Sequence, residues 1–214
     1  HANTEFFSNF SKYIVMITTP NTFEMGATGE VYLERRGSDI AEWTVVADTV
    51  IDFAFACGPK FKKFESDTLG IKFRYLLTDE RADYFDKIDD TTKKTIAYNS
   101  ERLFKYPYKT FTLVDFNSGA GGMEMPGMVQ VTYPEGKPNE SDLSELTMGI
   151  VHEVTHEWFY ATIATNQFDD PWLDEGITTY MTRRILNYYK IPFRFIGPLG
   201  YQISGSAGER AIGL

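Results

Sequence analysis

The sequence predicts an α+β fold, and three observations carry that prediction. The first 57 residues hold only short β-rich runs. Residues 82–104 and 142–161 space their apolar side chains at helical period. A strand-like run at 70–77 precedes the first helix, and others at 109–116 and 125–133 lie between the two. Composition agrees: 214 residues, 43% apolar and 15% aromatic, can bury a sizeable core as one domain or parts of two. The net charge of -9 and a pI near 4.9 argue against nucleic acid and anionic lipid as partners. No apolar run approaches membrane-spanning length. A single cysteine, Cys57, excludes an internal disulfide.

Residues 12–18 read as a strand broken at Thr19-Pro20-Asn21. A turn at 27–30 precedes a short strand at 31–34, and 43–47 and 50–56 are β-rich, with Phe53 and Phe55 in alternation. Four or five such strands leave an exposed edge and little core. The expectation is therefore that residues 1–57 are the closing part of a β-domain in a larger protein, with the boundary at Gly58-Pro59 and a second domain over 58–214. In that second part, Ile71, Phe73 and Tyr75 share one strand face. Phe85, Ile88, Thr92, Ile96, Asn99 and Leu103 form a helical stripe. Strand 109–116 leads into a loop at 117–122. Strand 125–133 follows, with Pro126 suited to an edge, and then a polar loop at 134–139.

Leu143, Leu146, Ile150, Val154 and Trp158 define the helix over 142–161, with Leu146, Ile150 and Val154 as its buried face. Ser141 or Asp142 can cap it, and Glu145 can answer Asp142 in a capping box. Within it lies His152-Glu153-Val154-Thr155-His156, an HExxH motif. Four helical residues advance about 400°, so the two imidazoles stand roughly 40° and 6 Å apart and can converge on one tetrahedral cation. Glu153, turned by about 100°, flanks the ion and suits a general base acting on water. Of three histidines, the one outside the motif is His1.

Zinc needs a third protein ligand and an open position. A third-histidine pattern would place Gly at 159 and His at 162, where the chain has Phe159 and Thr162. A carboxylate is left. Glu175, in Trp172-Leu173-Asp174-Glu175-Gly176, follows His156 after eighteen residues and falls in the first turn of a second helix. Pro171 suits that turn, Asp169 or Asp170 can cap it, and Ile177, Tyr180, Met181, Arg184, Ile185 and Tyr188 continue it. Asp174 is the rival ligand, about 100° away on an ideal helix.

These residues resemble the zinc aminopeptidases of the aminopeptidase N and leukotriene-epoxide hydrolase family, within the gluzincins. Gly121-Gly122-Met123-Glu124-Met125-Pro126-Gly127 is similar to the family's Gly-x-Met-Glu-Asn motif, with Met125 where the family has Asn. The resemblance implies a thermolysin-like (zincin) catalytic subdomain with a mixed sheet and the HExxH helix, preceded by the end of a β-sandwich-like N-terminal domain. It implies one zinc ion on His152, His156 and Glu175, with Glu153 as the base. It implies that Glu124 binds the free amino terminus of a peptide substrate while Gly121, Gly122 and Met123 run beside it as an added strand. The family's transition-state tyrosine falls beyond Leu214. Two alternatives stand beside the aminopeptidase: a catalytically silent zinc-binding interaction domain, and a gluzincin acting as an endopeptidase or epoxide hydrolase.

Overall fold

The computed structural model describes residues 7–116, 122–132, 139–196 and 202–205. Strands β1 (Ser11–Pro20), β3 (Glu30–Arg36) and β4 (Ile40–Val50) form an antiparallel sheet in the order β1-β4-β3, and β2 (Glu24–Ala27) pairs separately with β5 (Phe55–Gly58). Alternation along β4 buries Ala41, Trp43, Val45 and Ala47. The first three of these meet Met25 and Ala27 of β2 in a small core, and Trp43 Nε1 donates to Thr19 Oγ1 at 3.0 Å. The β-rich run expected at 43–47 lies within the longer β4, whereas that expected at 50–56 is the end of β4, a non-strand stretch over 51–54 and the start of β5.

The second sheet is mixed, as the order β6-β7-β8-β10-β9 shows: β6 (Lys62–Thr68) and β7 (Ile71–Leu77) are antiparallel, β7, β8 (Thr110–Asp115) and β10 (Met128–Val131) run parallel, and β9 (Met123–Met125) returns antiparallel at the edge. Side chains alternate between its two faces. Leu76, Val114 and Met128 face the β2–β5 pair through Ala54, Ala56 and Phe61. Thr110 and Thr112 donate on that side to the carbonyls of Gly29 and Ala27. Phe73, Tyr75, Phe111, Leu113, Val129 and Val131 face the helices.

Two elements differ from the sequence expectation. The strand expected over 125–133 is a tight hairpin, because Pro126 and Gly127 (φ +68°) occupy its turn, Gly in the left-handed position that a type II turn requires. Pro126 therefore belongs to a turn and not to an edge strand. The helix expected over 82–104 is a short α1 (Asp79–Ala82) followed by α2 (Phe85–Arg102).

Helix α3 (Glu140–Phe159) lies across the inner face of this sheet, and Leu146, Ile150, Val154 and Trp158 are buried there. Its start is capped one turn earlier than expected. Asn139 Oδ1 accepts from the Asp142 N–H at 3.1 Å, and the Asp142 carboxylate accepts from the Asn139 N–H at 2.9 Å, a reciprocal box that replaces the one expected between Asp142 and Glu145. Asn99 of α2 donates to Thr155 at 3.2 Å, and Trp158 Nε1 donates to the Phe104 carbonyl at 2.7 Å. At the far end, Tyr160 donates to the Asp52 carboxylate and Tyr108 to the Ala161 carbonyl, tying the β4–β5 segment and the α2–β8 segment to the helix terminus. A turn with π-type hydrogen bonding (Trp172–Gly176) then leads into α4 (Ile177–Tyr188), whose Met181, Ile185 and Leu186 complete the core.

Trp158 fills the centre of this frame and satisfies a backbone carbonyl as it does so. Trp158→Ala should lower the unfolding free energy by about 3–5 kcal/mol, read as a shift of the urea midpoint. Trp158→Phe, which keeps one aromatic ring and loses the N–H, should cost less.

Candidate metal centre

Helix α3 and the π-turn bring three donor groups together. His156 Nε2 lies 3.2 Å from His152 Nε2, His152 Nε2 lies 3.2 Å from Glu175 Oε2, and His156 Nε2 lies 3.9 Å from Glu175 Oε1. A tetrahedral zinc ion with bonds of about 2.0–2.1 Å separates its ligand atoms by roughly 3.3–3.4 Å. The residues present therefore fit such an ion in spacing and in donor type. His152 is partly exposed and His156 is buried, while about half of the Glu175 side chain is accessible, so the triangle has a dry side and an open one.

The two faces of the His156 ring are used differently. Nδ1 contacts the buried Asp174 carboxylate and lies 3.3 Å from Thr178 Oγ1. With the proton on Nδ1, the ring donates to Asp174 and keeps its Nε2 lone pair for a cation. Burial, helped by the neighbouring His152, lowers the His156 pKa to about 3, so the ring is neutral at ordinary pH. Burial and the adjacent Glu175 charge raise Asp174 to about 7, and its Oδ2 has no hydrogen-bond partner among the described residues. The hydrogen bond from His152 holds Glu175 below its ordinary value.

Sequence reasoning placed Asp174 among possible ligands. The structure gives it the back of the second imidazole instead. The signal was present in the adjacent acids at 174 and 175, but an ideal α-helix turns them about 100° apart, whereas here they sit in a π-type turn.

The other expected acidic residues lie close to the second histidine. Ligand atoms of Glu124, Glu153 and His156 lie within 4.8 Å of one another. Glu124 is carried by edge strand β9 opposite Val129, and both it and Glu153 are buried. Gly122 abuts Glu153 so closely that a Cβ there would overlap the carboxyl group, so glycine at 122 is a steric requirement of the Glu153 conformation. Met123 begins β9 and is half-buried; Gly121 lies outside the described residues. A cavity of about 220 Å³ opens beside His152 and Glu153, floored by Met148, Thr182 and Leu186.

Sequence reasoning missed Glu157. It is buried next to His156, and burial, with the Glu124 charge as a further contribution, raises it to about 8. Both of its carboxyl oxygens face the Gly127 N–H.

The model of the peptidase family M1 domain matches residues 87–199. Leucine aminopeptidase 2 of Kluyveromyces lactis is 34% identical over 101 residues, which cover 46% of this chain and 15% of that protein. A probable M1 family aminopeptidase 2 of Encephalitozoon cuniculi is 28% identical over 102 residues, covering 42% and 12%. Endoplasmic reticulum aminopeptidase 2 of Bos taurus is 30% identical over 154 residues, covering 67% and 15%. The chain thus matches a minor part of the length of each relative.

Asp174 and the three converging side chains make a metal-binding prediction. Elemental analysis should find about one zinc per chain, lost in His156→Ala. Asp174→Ala should weaken zinc about 10–100-fold in chelator competition while leaving all three donor side chains in place.

Proposed function

The chain belongs to peptidase family M1, and on that premise we propose that it is the zinc-holding part of an aminopeptidase that removes residues from the free amino terminus of peptides. The observation that carries this reading is the triangle of His152, His156 and Glu175, with separations of 3.2, 3.2 and 3.9 Å, beside the buried carboxyl groups of Glu124 and Glu153. Zinc held there would supply a Lewis acid that polarises the scissile carbonyl and makes water acidic.

The chain's own groups do the rest. Glu153 is the base: its carboxylate, pinned between α3 and the Gly122 backbone, takes the proton of the attacking water and delivers it to the leaving amine. Glu124 accepts the substrate's α-ammonium, which limits attack to the first peptide bond. Strand β9 is the last strand of its sheet and has main-chain groups to offer an extended peptide; Gly122 and Met123 lead into it, and Gly121 precedes them in sequence. Asp174 keeps the His156 ring in the tautomer and orientation that a cation needs.

The same reading extends to architecture. Residues 58–214 form the upper part of a thermolysin-like catalytic domain, with the mixed sheet beneath α3 and the π-turn feeding α4. Residues 1–57 close a preceding β-domain, and the fact that no described sheet joins a strand of β1–β5 to one of the later strands supports that boundary. The remainder of a larger parent protein is the chain's natural partner.

The test uses the full-length parent. Glu153→Gln should cut turnover of an aminoacyl reporter by about 10²–10⁴-fold with zinc retained. Acetylating the reporter's amino group should stop cleavage by the wild type. Zinc retained with no turnover by the wild type would overturn the reading in favour of a silent zinc-binding domain. Cleavage of the acetylated reporter would favour an endopeptidase.

A further inference from the structure

Glu157 follows the second histidine and has no part in the proposed chemistry. One residue on from His156, it is turned by about 100° from the metal face toward the β9–β10 hairpin. The residue is 1% exposed, and the Gly127 nitrogen lies 3.0 Å from Oε1 and 2.9 Å from Oε2. Gly127 is the turn residue of that hairpin, and its carbonyl accepts from the Thr112 N–H of β8 at 2.9 Å. The turn is therefore clamped on both sides, to the metal helix through its N–H and to the sheet through its carbonyl. Glu124 lies three residues before that clamp, on a strand of only three residues at the sheet edge.

Strand β9 meets α3 where Gly122 packs on Glu153 and is paired to β10 along its length, and the Glu157–Gly127 contact adds a polar tie at the turn. The same helix carries His152 and His156, so the Glu157–Gly127 contact links the ammonium acceptor and the metal ligands through one rigid element. A buried carboxyl group is a costly way to fill that volume, and a backbone N–H is the partner that offsets the cost. We propose that Glu157 is a positioning residue for the substrate's amino terminus: by bridging α3 to the hairpin turn it sets how far the Glu124 carboxylate stands from the metal ligands, and hence which peptide bond is presented for cleavage. This rests on the aminopeptidase reading, with Glu124 as ammonium acceptor.

The test compares Glu157→Met, Glu157→Gln, Glu124→Ala and the Glu124→Ala/Glu157→Met double variant in the full-length parent. Zinc content, kcat and KM on a free-amine aminoacyl reporter, and hydrogen–deuterium exchange across 123–128 are measured. Methionine matches glutamate in length and lacks the strong acceptor; glutamine keeps one carbonyl oxygen for the Gly127 N–H. Glu157→Met should retain zinc, raise KM about 10-fold with kcat changed less than about 3-fold, and speed exchange in the hairpin about 10-fold or more. Glu157→Gln should restore both to within about 3-fold of wild type. In the Glu124→Ala background, Glu157→Met should change KM by less than about 2-fold, because its effect passes through Glu124.

Equal KM effects in both backgrounds, or a fall in kcat at unchanged KM, would overturn the positioning role. So would unaltered exchange and KM in a folded Glu157→Met protein. If that variant does not fold, Glu157→Asp, whose carboxyl group is drawn back by one methylene, carries the same expectations and the same overturning results. A Glu124→Ala protein with unchanged KM would instead overturn the ammonium-acceptor reading, and the positioning role with it.

Discussion

The contact between His156 Nδ1 and the buried Asp174 carboxylate is the constraint on which the rest of the site depends. Neither side chain reaches solvent. A carboxylate and an imidazole taken out of water cost several kcal/mol each unless they meet in good geometry, and that geometry has to be held by something rigid. The frame is the large core in which Leu146, Ile150, Val154 and Trp158 of α3 pack on one face of the mixed sheet, with Met181, Ile185 and Leu186 of α4 closing the side. Once the ring is held, its second nitrogen has one direction in which to point, and His152 and Glu175 point to the same place.

Helix α3 makes a second buried tie of the same kind one residue on, from Glu157 to the hairpin turn. The outcome is a concentration of acidic groups, Glu124, Glu153, Glu157, Asp174 and Glu175, around two histidines. Their mutual repulsion is visible in the upward push that Glu124 gives Glu157 and that Glu175 gives Asp174. A dication between His152, His156 and Glu175, and an ammonium group at Glu124, would each relieve that repulsion. The fold holds these carboxyl groups together in advance, and this is the condition under which electrostatic binding needs little reorganisation.

Much of this was legible in the sequence because it follows from period and from residue counts. The apolar spacing of Leu146, Ile150 and Val154 located α3 to within two residues at either end. With two internal histidines, both in one motif, the ligand search narrowed to a carboxylate near residue 175. What escaped was structure set by tertiary partners. Strand β6 has one apolar residue, Phe64, among Lys62, Lys63, Glu65 and Asp67, so it shows no core-facing alternation; its clue was the turn Leu69-Gly70, where both residues take positive φ. The hairpin at Pro126-Gly127 looked like a strand because apolar residues flank it on both sides. The cap at Asn139 lay inside what read as a polar loop. Glu157 gave no sign because its partner is a backbone N–H thirty residues earlier, a contact with no sequence signature.

The acidic pair at 174 and 175 shows how a local departure from regular helix changes the chemistry available. In an α-helix consecutive side chains diverge by about 100°, and one of two adjacent acids would face away from a shared neighbour. Here i→i+5 bonding over Trp172–Gly176 widens the turn, and both acids reach one imidazole, Asp174 at Nδ1 and Glu175 on the Nε2 side. One carboxyl group then fixes the ring while its neighbour shares the space the ring faces. The two roles need different surroundings, and the turn supplies them: Asp174 is sealed against α3, whereas half of Glu175 stays accessible. An ion held by Glu175 would be open to solvent and to a substrate, while the group that orients its most buried ligand stays dry.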